Sequence, residues 1–397
     1  MKYLQKTFRW FGPAFGVTLD EIKELDVDGI VTACHQFATG EVWPLKTISS
    51  LKSEIESKGL SWEVVESVNI HNDIKYGGSN RDQYIQNYIE TLQNLSTCGI
   101  KVVCYNFMPL VDWTRTSIRH KLPNGAISLS YDPLAIATFD LHILKRSGNH
   151  QDYDQITHIR AKEYFDQLSD AQRQELQNTI LSGLPGTKEP VPISVFRQYH
   201  EQASQLSKVE LQENLAYFLN AVVPEAEKLG IKMAIHPDDP PFSIFGLPRI
   251  ASTYEDFRFI FESYPSRSNG LTFCSGSLAV NPKNNLVKII KDFGEKIHFI
   301  HLRNIQLEAS GGFYESSHLK GSVPMAKVMR ALIEEQKKRL TSGNVDIAIP
   351  LRPDHGHVIL NDKDKIDSFY AGYSLIGRGM GIAMISGLEE GIREAIL

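Results

Sequence analysis

Short β-branched runs alternate with longer amphipathic stretches along most of the chain. The runs occupy residues 29–34 (GIVTAC), 62–67 (WEVVES), 101–107 (KVVCYNF), 232–237 (KMAIHP), 270–276 (GLTFCSG), 296–304 (KIHFIHLRN), 346–354 (DIAIPLRPD) and 377–387 (GRGMGIAMISG). Segments such as LKTISSLKSEIESKG and RDQYIQNYIETLQNLSTCG carry helical periodicity between them, and most close on a glycine or another turn residue. This alternation predicts parallel strands joined by crossover helices, an α/β fold. Eight such units closing on themselves predict a (β/α)8 TIM barrel, with a doubly wound open sheet as the alternative.

The alternation breaks between Trp113 and Asn214, where the chain is charged, locally helical (SDAQRQELQNTILSGL) and turn-rich (LPGTKEPVPIS). No Gly/Ser or Pro linker brackets the break. Residues 114–214 therefore read as a helical insertion after the third strand, inside a single barrel domain spanning 1–397. The insertion leaves from the face that carries barrel active sites, the place for a cap.

Composition narrows the function classes. The chain has 397 residues, 42% of them hydrophobic and 22% charged, the balance of a soluble globular protein. A formal net charge of −5 gives no general affinity for nucleic acid or anionic membrane, so an anionic substrate needs local cations. No run of about 18 apolar residues predicts a membrane span. The first residues, MKYLQKTFRWFGP, lack the apolar core of a secretory signal. Cys34, Cys98, Cys104 and Cys274 form no CxxC pair, which fits free thiols in a reducing cytoplasm.

Four consecutive strands end on good metal ligands: His236, Cys274, His301 and Asp354. Alternate residues of a strand share a face. His301 thus goes with Phe299 and Arg303, while His298 points away; Asp354 goes with Arg352; Cys274 goes with Thr272 and Gly276, whose small size leaves room around a thiolate. With those faces inward, two imidazoles, a thiolate and a carboxylate converge at the barrel mouth and can hold a divalent transition metal. Singly, each has a plainer reading: a turn histidine, a packed thiol, an aspartate capping the next helix. In IHPDDPP (235–241), Asp238 and Asp239 sit in a rigid polar loop, one of them as a cap. In RPDHGH (352–357), His357 divides between a surface and a site role. Arg303 and Arg352 are candidate anchors for a substrate carboxylate or else rim ion pairs. His35, His71, Asn106 and Asp112 are candidate hydroxyl contacts or turn residues, and Cys34 and Cys104 read as packed thiols.

Nine motifs together resemble the mannonate dehydratase family of hexuronate breakdown, in the xylose isomerase-like barrel superfamily. They are FRWFGP, GEVWP (40–44), WEVVESV (62–68), CGIKVVCYNFMPLVDWTRT (98–116), HPDDPP (236–241), GLPRI (246–250), FCSGS (273–277), IHLRN (300–304) and RPDHGH (352–357). The resemblance implies a (β/α)8 barrel, a divalent metal (Mn²⁺ or Fe²⁺) and dehydration of D-mannonate to 2-keto-3-deoxy-D-gluconate. It places the metal on His236, Cys274, His301 and Asp354, and the acid/base pair on His355 and Tyr373, with Tyr370 a competitor for the tyrosine. An acidic residue is expected soon after HLKG (318–321), where this chain has SVPM.

Such a lyase removes a weakly acidic proton beside a carboxylate and a hydroxyl from the next carbon, so the developing enediolate needs a concentrated positive field. The residues leave open which of His355 and Tyr373 is base. A thiolate beside two imidazoles also suits Zn²⁺. Two rival functions use the same barrel: a metal-dependent sugar isomerase or epimerase, and a non-catalytic sugar-acid binding protein. The expected partner is a small sugar acid, with no nucleic acid or membrane, and a homodimer is the default assembly.

Overall fold

The computed structural model describes residues 4–183, 191–343 and 346–396. Eight parallel strands close into a barrel: β1 (Gln5–Arg9), β2 (Gly29–Thr32), β3 (Ser61–Glu66), β4 (Val102–Tyr105), β7 (Lys232–Ile235), β8 (Asn269–Cys274), β9 (Ile297–His301) and β12 (Pro350–Arg352). Four shorter strands, β5 (Ser117–Lys121), β6 (Ile127–Tyr131), β10 (Asn304–Leu307) and β11 (Phe313–Ser316), form an antiparallel sheet in the order β10-β11-β6-β5. Among the described residues no helix is long and apolar enough to cross a membrane.

The barrel holds, but its strands are counted differently from the sequence reading. Seven of the eight runs are strands. The eighth, 377–387, lies inside the helix Leu375–Ile396. Gly377 and Gly381 serve close approach rather than turning. A Cβ on Gly377 would stand 2.0 Å from the His357 carbonyl oxygen, and one on Gly381 2.5 Å from the His318 ring. The missing strand is β1, which precedes the first run. Its pattern was obscured because polar Thr7 and Arg9 face inward and Lys6 is buried against Glu389 of the C-terminal helix. That ion pair, with Leu4 N donating to Glu389 Oε1 at 2.9 Å, fastens the last helix to the first strand.

The insertion accordingly follows the fourth barrel strand, β4, and it is not purely helical. It opens with the β5–β6 hairpin and continues through helices Pro133–Thr138, Gln155–Gln167, Asp170–Leu181 and Ile193–Ala203. The barrel helix Lys208–Lys228 begins before residue 214, so the insertion ends sooner than expected. The turn-rich LPGTKEP stretch lies outside the described residues.

Strand parity divides the core. Val31, Val64, Val102, Cys104 and Phe299 form a separate buried cluster within the barrel, while alternate residues such as Ile30, Val65 and Ile300 join the larger core under the helices. His298 falls on the outer side, as its parity requires. It is 5% exposed, and its Nε2 pairs with the Arg267 carbonyl at 2.6 Å. Burial pushes its pKa down to about 3.

Two predictions follow from this packing. A Cβ on Gly270 would stand 2.2 Å from the His298 ring and 2.4 Å from the Lys296 carbonyl, a backbone atom that cannot swing away. Gly270→Ala should lower the unfolding free energy by about 1–3 kcal/mol, read by denaturant titration. His298 is neutral in the fold but takes a proton in the unfolded chain below its ordinary value near 6.5. Its contribution is thus complete above that pH and is lost as pH falls toward about 3. His298→Gln should flatten the decline in unfolding free energy between pH 7 and 5.

Candidate active site

Register sets the neighbours at the barrel mouth. Cys274 pairs with His301 across β8 and β9, and His301 pairs with Arg352 across β9 and β12. His236 follows β7 directly, its N–H donating to the Tyr105 carbonyl at 2.8 Å. One donor atom from each of His236, Cys274 and His301 lies within 4.8 Å of the others. His236 Nδ1 is occupied by the Pro237 carbonyl at 2.7 Å, so Nε2 keeps its lone pair, 3.2 Å from His301 Nδ1. Two nitrogens bound at about 2.0–2.1 Å to one ion stand roughly 3.3–3.4 Å apart at a tetrahedral angle, close to this spacing.

Asp354 reaches the group at longer range. Its Oδ2 lies 3.8 Å from both Cys274 Sγ and His301 Nδ1, while Oδ1 takes an N–H of Arg352 at 2.6 Å. Asp354 has φ +65°, a left-handed conformation that Asp tolerates better than most residues. Burial opposes ionisation of this carboxyl, but Arg352, His355, His301 and Arg303 together hold it well below the usual range. Gly276 leaves space for Arg303, not for the Cys274 side chain: a Cβ there would meet the arginine chain at 2.3 Å. The Cys274 sulfur's own neighbour is Ser277, whose Oγ donates to Sγ at 3.1 Å.

Both candidate arginines are buried and paired. Arg352 spans Glu66 (2.7 Å) and Asp354 and also lines the cavity. Arg303 binds Asp239 and Glu315, each at 2.7 Å, and is not among the cavity-lining residues. Arg9 adds a contact to Glu66 at 2.9 Å, and Arg115 binds Asp239 and Glu315 at 2.9 and 2.8 Å. Burial works against Glu66 and Asp239 as anions, yet their guanidinium partners keep both well below ordinary carboxyl values. Glu315, opposed by burial in the same way, is held at about 2 by Arg303, His355 and Arg115.

Part of this network borders a cavity of about 490 Å³. His236, Asp354, His355, Tyr373, Arg352, His71, Asn106, His35 and Asp112 all contribute to its wall. The His355 ring lies 5.2 Å from that of Tyr373, edge to face. Tyr370 also borders the cavity and stacks on Phe15 at 4.5 Å. Burial raises the Tyr373 pKa, so the phenol keeps its proton at neutral pH. His71 caps the helix Asn72–Tyr76 and stacks on Tyr84 at 3.6 Å; Asn106 donates to Asp112 at 3.3 Å.

The remaining candidates separate cleanly. Asp238 is the structural one of its pair, accepting from Ala251 N and Ser252 Oγ at 2.7 Å each; Asp239 joins the ion network. His357 Nε2 bonds the Glu315 carbonyl at 2.9 Å. Cys104 takes the Thr272 hydroxyl at 3.3 Å, and burial raises its thiol, as it does that of Cys34, pushed up to about 12. Glu66, Arg9, Arg115 and Glu315 were missed from sequence. Parity could have found Glu66, which shares its face with Val64. Glu315 lies on a hairpin with no strand signal, just ahead of the HLKG stretch after which an acid was expected.

A family model described as D-mannonate dehydratase (UxuA) matches residues 4–396. The mannonate dehydratase of Chromohalobacter salexigens is 45% identical over 392 residues, covering 98% of this chain and 99% of that protein. That of Marinomonas sp. is 44% identical over 394 residues, 99% and 100% of the two chains. Among solved structures, mannonate dehydratase from Streptococcus suis serotype 2 superposes with a TM-score of 0.78 at 34% identity, covering 100% of this chain and 95% of that one. These matches favour the dehydratase over the isomerase, epimerase and binding-protein readings. The chain belongs to the D-mannonate dehydratase family.

Proposed function

We propose that this protein dehydrates D-mannonate to 2-keto-3-deoxy-D-gluconate and water, with a divalent metal, Mn²⁺ or Fe²⁺, held by His236, Cys274, His301 and Asp354. The observation that carries the reading is the convergence of three of these donors within 4.8 Å beside the cavity that His355 and Tyr373 border. A divalent ion at that place supplies the Lewis acidity that offsets charge building on the substrate carboxylate and its neighbouring carbon. His355 serves as the base for the proton on C2, because its ring faces the cavity beside Asp354. Tyr373 protonates the hydroxyl leaving C3, because burial keeps its phenol charged with a proton. The resulting enol tautomerises to the 2-keto product, so the balance is one molecule of water lost.

Arg352 orients the Asp354 carboxylate and borders the substrate space; Arg303 acts from behind, through Asp239, Glu315 and Asp354. His71 and Asn106 serve the distal hydroxyls. The insertion acts as a cap, supported by Ile118 and Ser182 in the cavity wall. A cytoplasmic setting is supported by four cysteines without a disulfide.

Incubation with D-mannonate should yield a 2-keto-3-deoxy acid, scored by a colour or mass assay; an aldose–ketose exchange without loss of water would contradict this. Chelation should abolish turnover and Mn²⁺ or Fe²⁺ should restore it, whereas restoration best by Zn²⁺ speaks against the metal assignment. Cys274→Ala should lose bound metal by elemental analysis together with activity. His355→Asn and Tyr373→Phe should each retain metal and lower kcat by about 10²-fold or more.

A further inference from the structure

We propose that Glu315, carried on β11 of the small sheet, is a positioning residue that accepts a hydrogen bond from His355 Nδ1–H and so presents the Nε2 lone pair to the substrate space. The inference rests on the reading of His355 as the base. Glu315 is 3% exposed and is not among the cavity-lining residues, so it acts through its neighbours and not on substrate.

Its Oε1 stands 3.1 Å from His355 Nδ1. A carboxylate oxygen and a bare ring nitrogen at that distance would oppose lone pairs, so a proton lies between them. Neutral imidazole carries a single N–H, which leaves Nε2 as the acceptor. Arg303 Nη1 also lies 3.1 Å from Nδ1, but its contact with Glu315 is shorter, 2.7 Å. The guanidinium and the imidazole are thus joint donors to one oxygen, with Arg115 Nη2 a third at 2.8 Å. A histidine oriented by a buried carboxylate is the arrangement that enzymes use to hold a base in one tautomer.

The strand itself is held from both sides. Glu315 pairs with Ile305 of β10, and its carbonyl accepts from Ser128 Oγ of β6 at 2.7 Å and from His357 Nε2 at 2.9 Å. Ser128 belongs to the insertion and His357 to the loop after β12 that bears His355. The carboxylate and the ring it orients are therefore fixed to a common frame, and the insertion hairpin completes that frame.

The test uses Glu315→Gln, which keeps size and hydrogen-bonding capacity but removes the charge, alongside Glu315→Ala and His355→Asn, all loaded with Mn²⁺. Glu315→Gln should lower kcat about tenfold and Glu315→Ala about a hundredfold, with KM within about threefold and metal content unchanged. Wild-type kcat in Glu315→Gln, or a loss confined to KM, overturns the proposal. His355→Asn with full turnover would instead refute the base reading itself; inactive His355→Asn beside active Glu315→Gln removes the role of Glu315 alone. Should the Glu315 variants not fold, ¹⁵N-histidine spectra of metal-stripped wild-type protein above pH 8, assigned by loss of a signal in His355→Asn, decide the matter. A protonated Nδ1 with a bare Nε2 supports the proposal, and the opposite tautomer ends it.

Discussion

Burying a lone charge costs several kcal/mol, and removing one partner of a buried ion pair costs about 3–5 kcal/mol. The barrel mouth meets this constraint by neutralisation. Glu66, Asp239, Glu315 and Asp354 lie against Arg9, Arg115, Arg303 and Arg352, four anions and four cations with shared hydrogen bonds. Each carboxylate meets at least two guanidiniums, counting the 3.4 Å contact of Arg303 with Asp354. Asp354 belongs to this lattice, and His301 and His355 each touch it, so the positions of these three depend on it.

The lattice in turn depends on the barrel. Inward positions recur at every second residue, and the register between neighbouring strands brings them to one level. Cys274, His301 and Arg352 are thus adjacent although their strands are separated by long helical connections. Below them the barrel is filled by Val31, Val64, Val102, Cys104 and Phe299, so the mouth is a floor of charged groups and candidate ligands over an apolar plug. Asp354 leaves the strand geometry at φ +65°, which turns its carboxylate back toward His301 while His355, the next residue, addresses the cavity. Two neighbouring residues can then take different tasks.

The small antiparallel sheet links the parts that are far apart in sequence. β5 and β6 come from the insertion, and β10 and β11 from the connection after β9. Their pairing carries Glu315 behind the barrel mouth, where it bridges Arg115 from the insertion side and Arg303 from the strand end. The insertion therefore contributes to the electrostatics of the site as well as to its wall.

Much of this was legible in sequence, and the reasons for the exceptions are physical. Period-two runs ending in His236, Cys274, His301 and Asp354 were enough for the barrel, the inward faces and the candidate ligands, since parity is a local property of a strand. The outward direction of His298 followed from the same rule. Two strand assignments failed where side chains answered to distant partners. β1 lost its hydrophobic signature to the inward Thr7 and Arg9 and to the Lys6–Glu389 pair, while glycines admitted for helix packing made 377–387 resemble a strand. Glu315, Arg115 and the ion pairs of Arg303 were invisible for a related reason. An ion pair between residues 200 positions apart, as Arg115 and Glu315 are, leaves no trace in either neighbourhood. The local chain determined the strands and the residues at their ends; only the closed barrel and its attached sheet decided which charges meet.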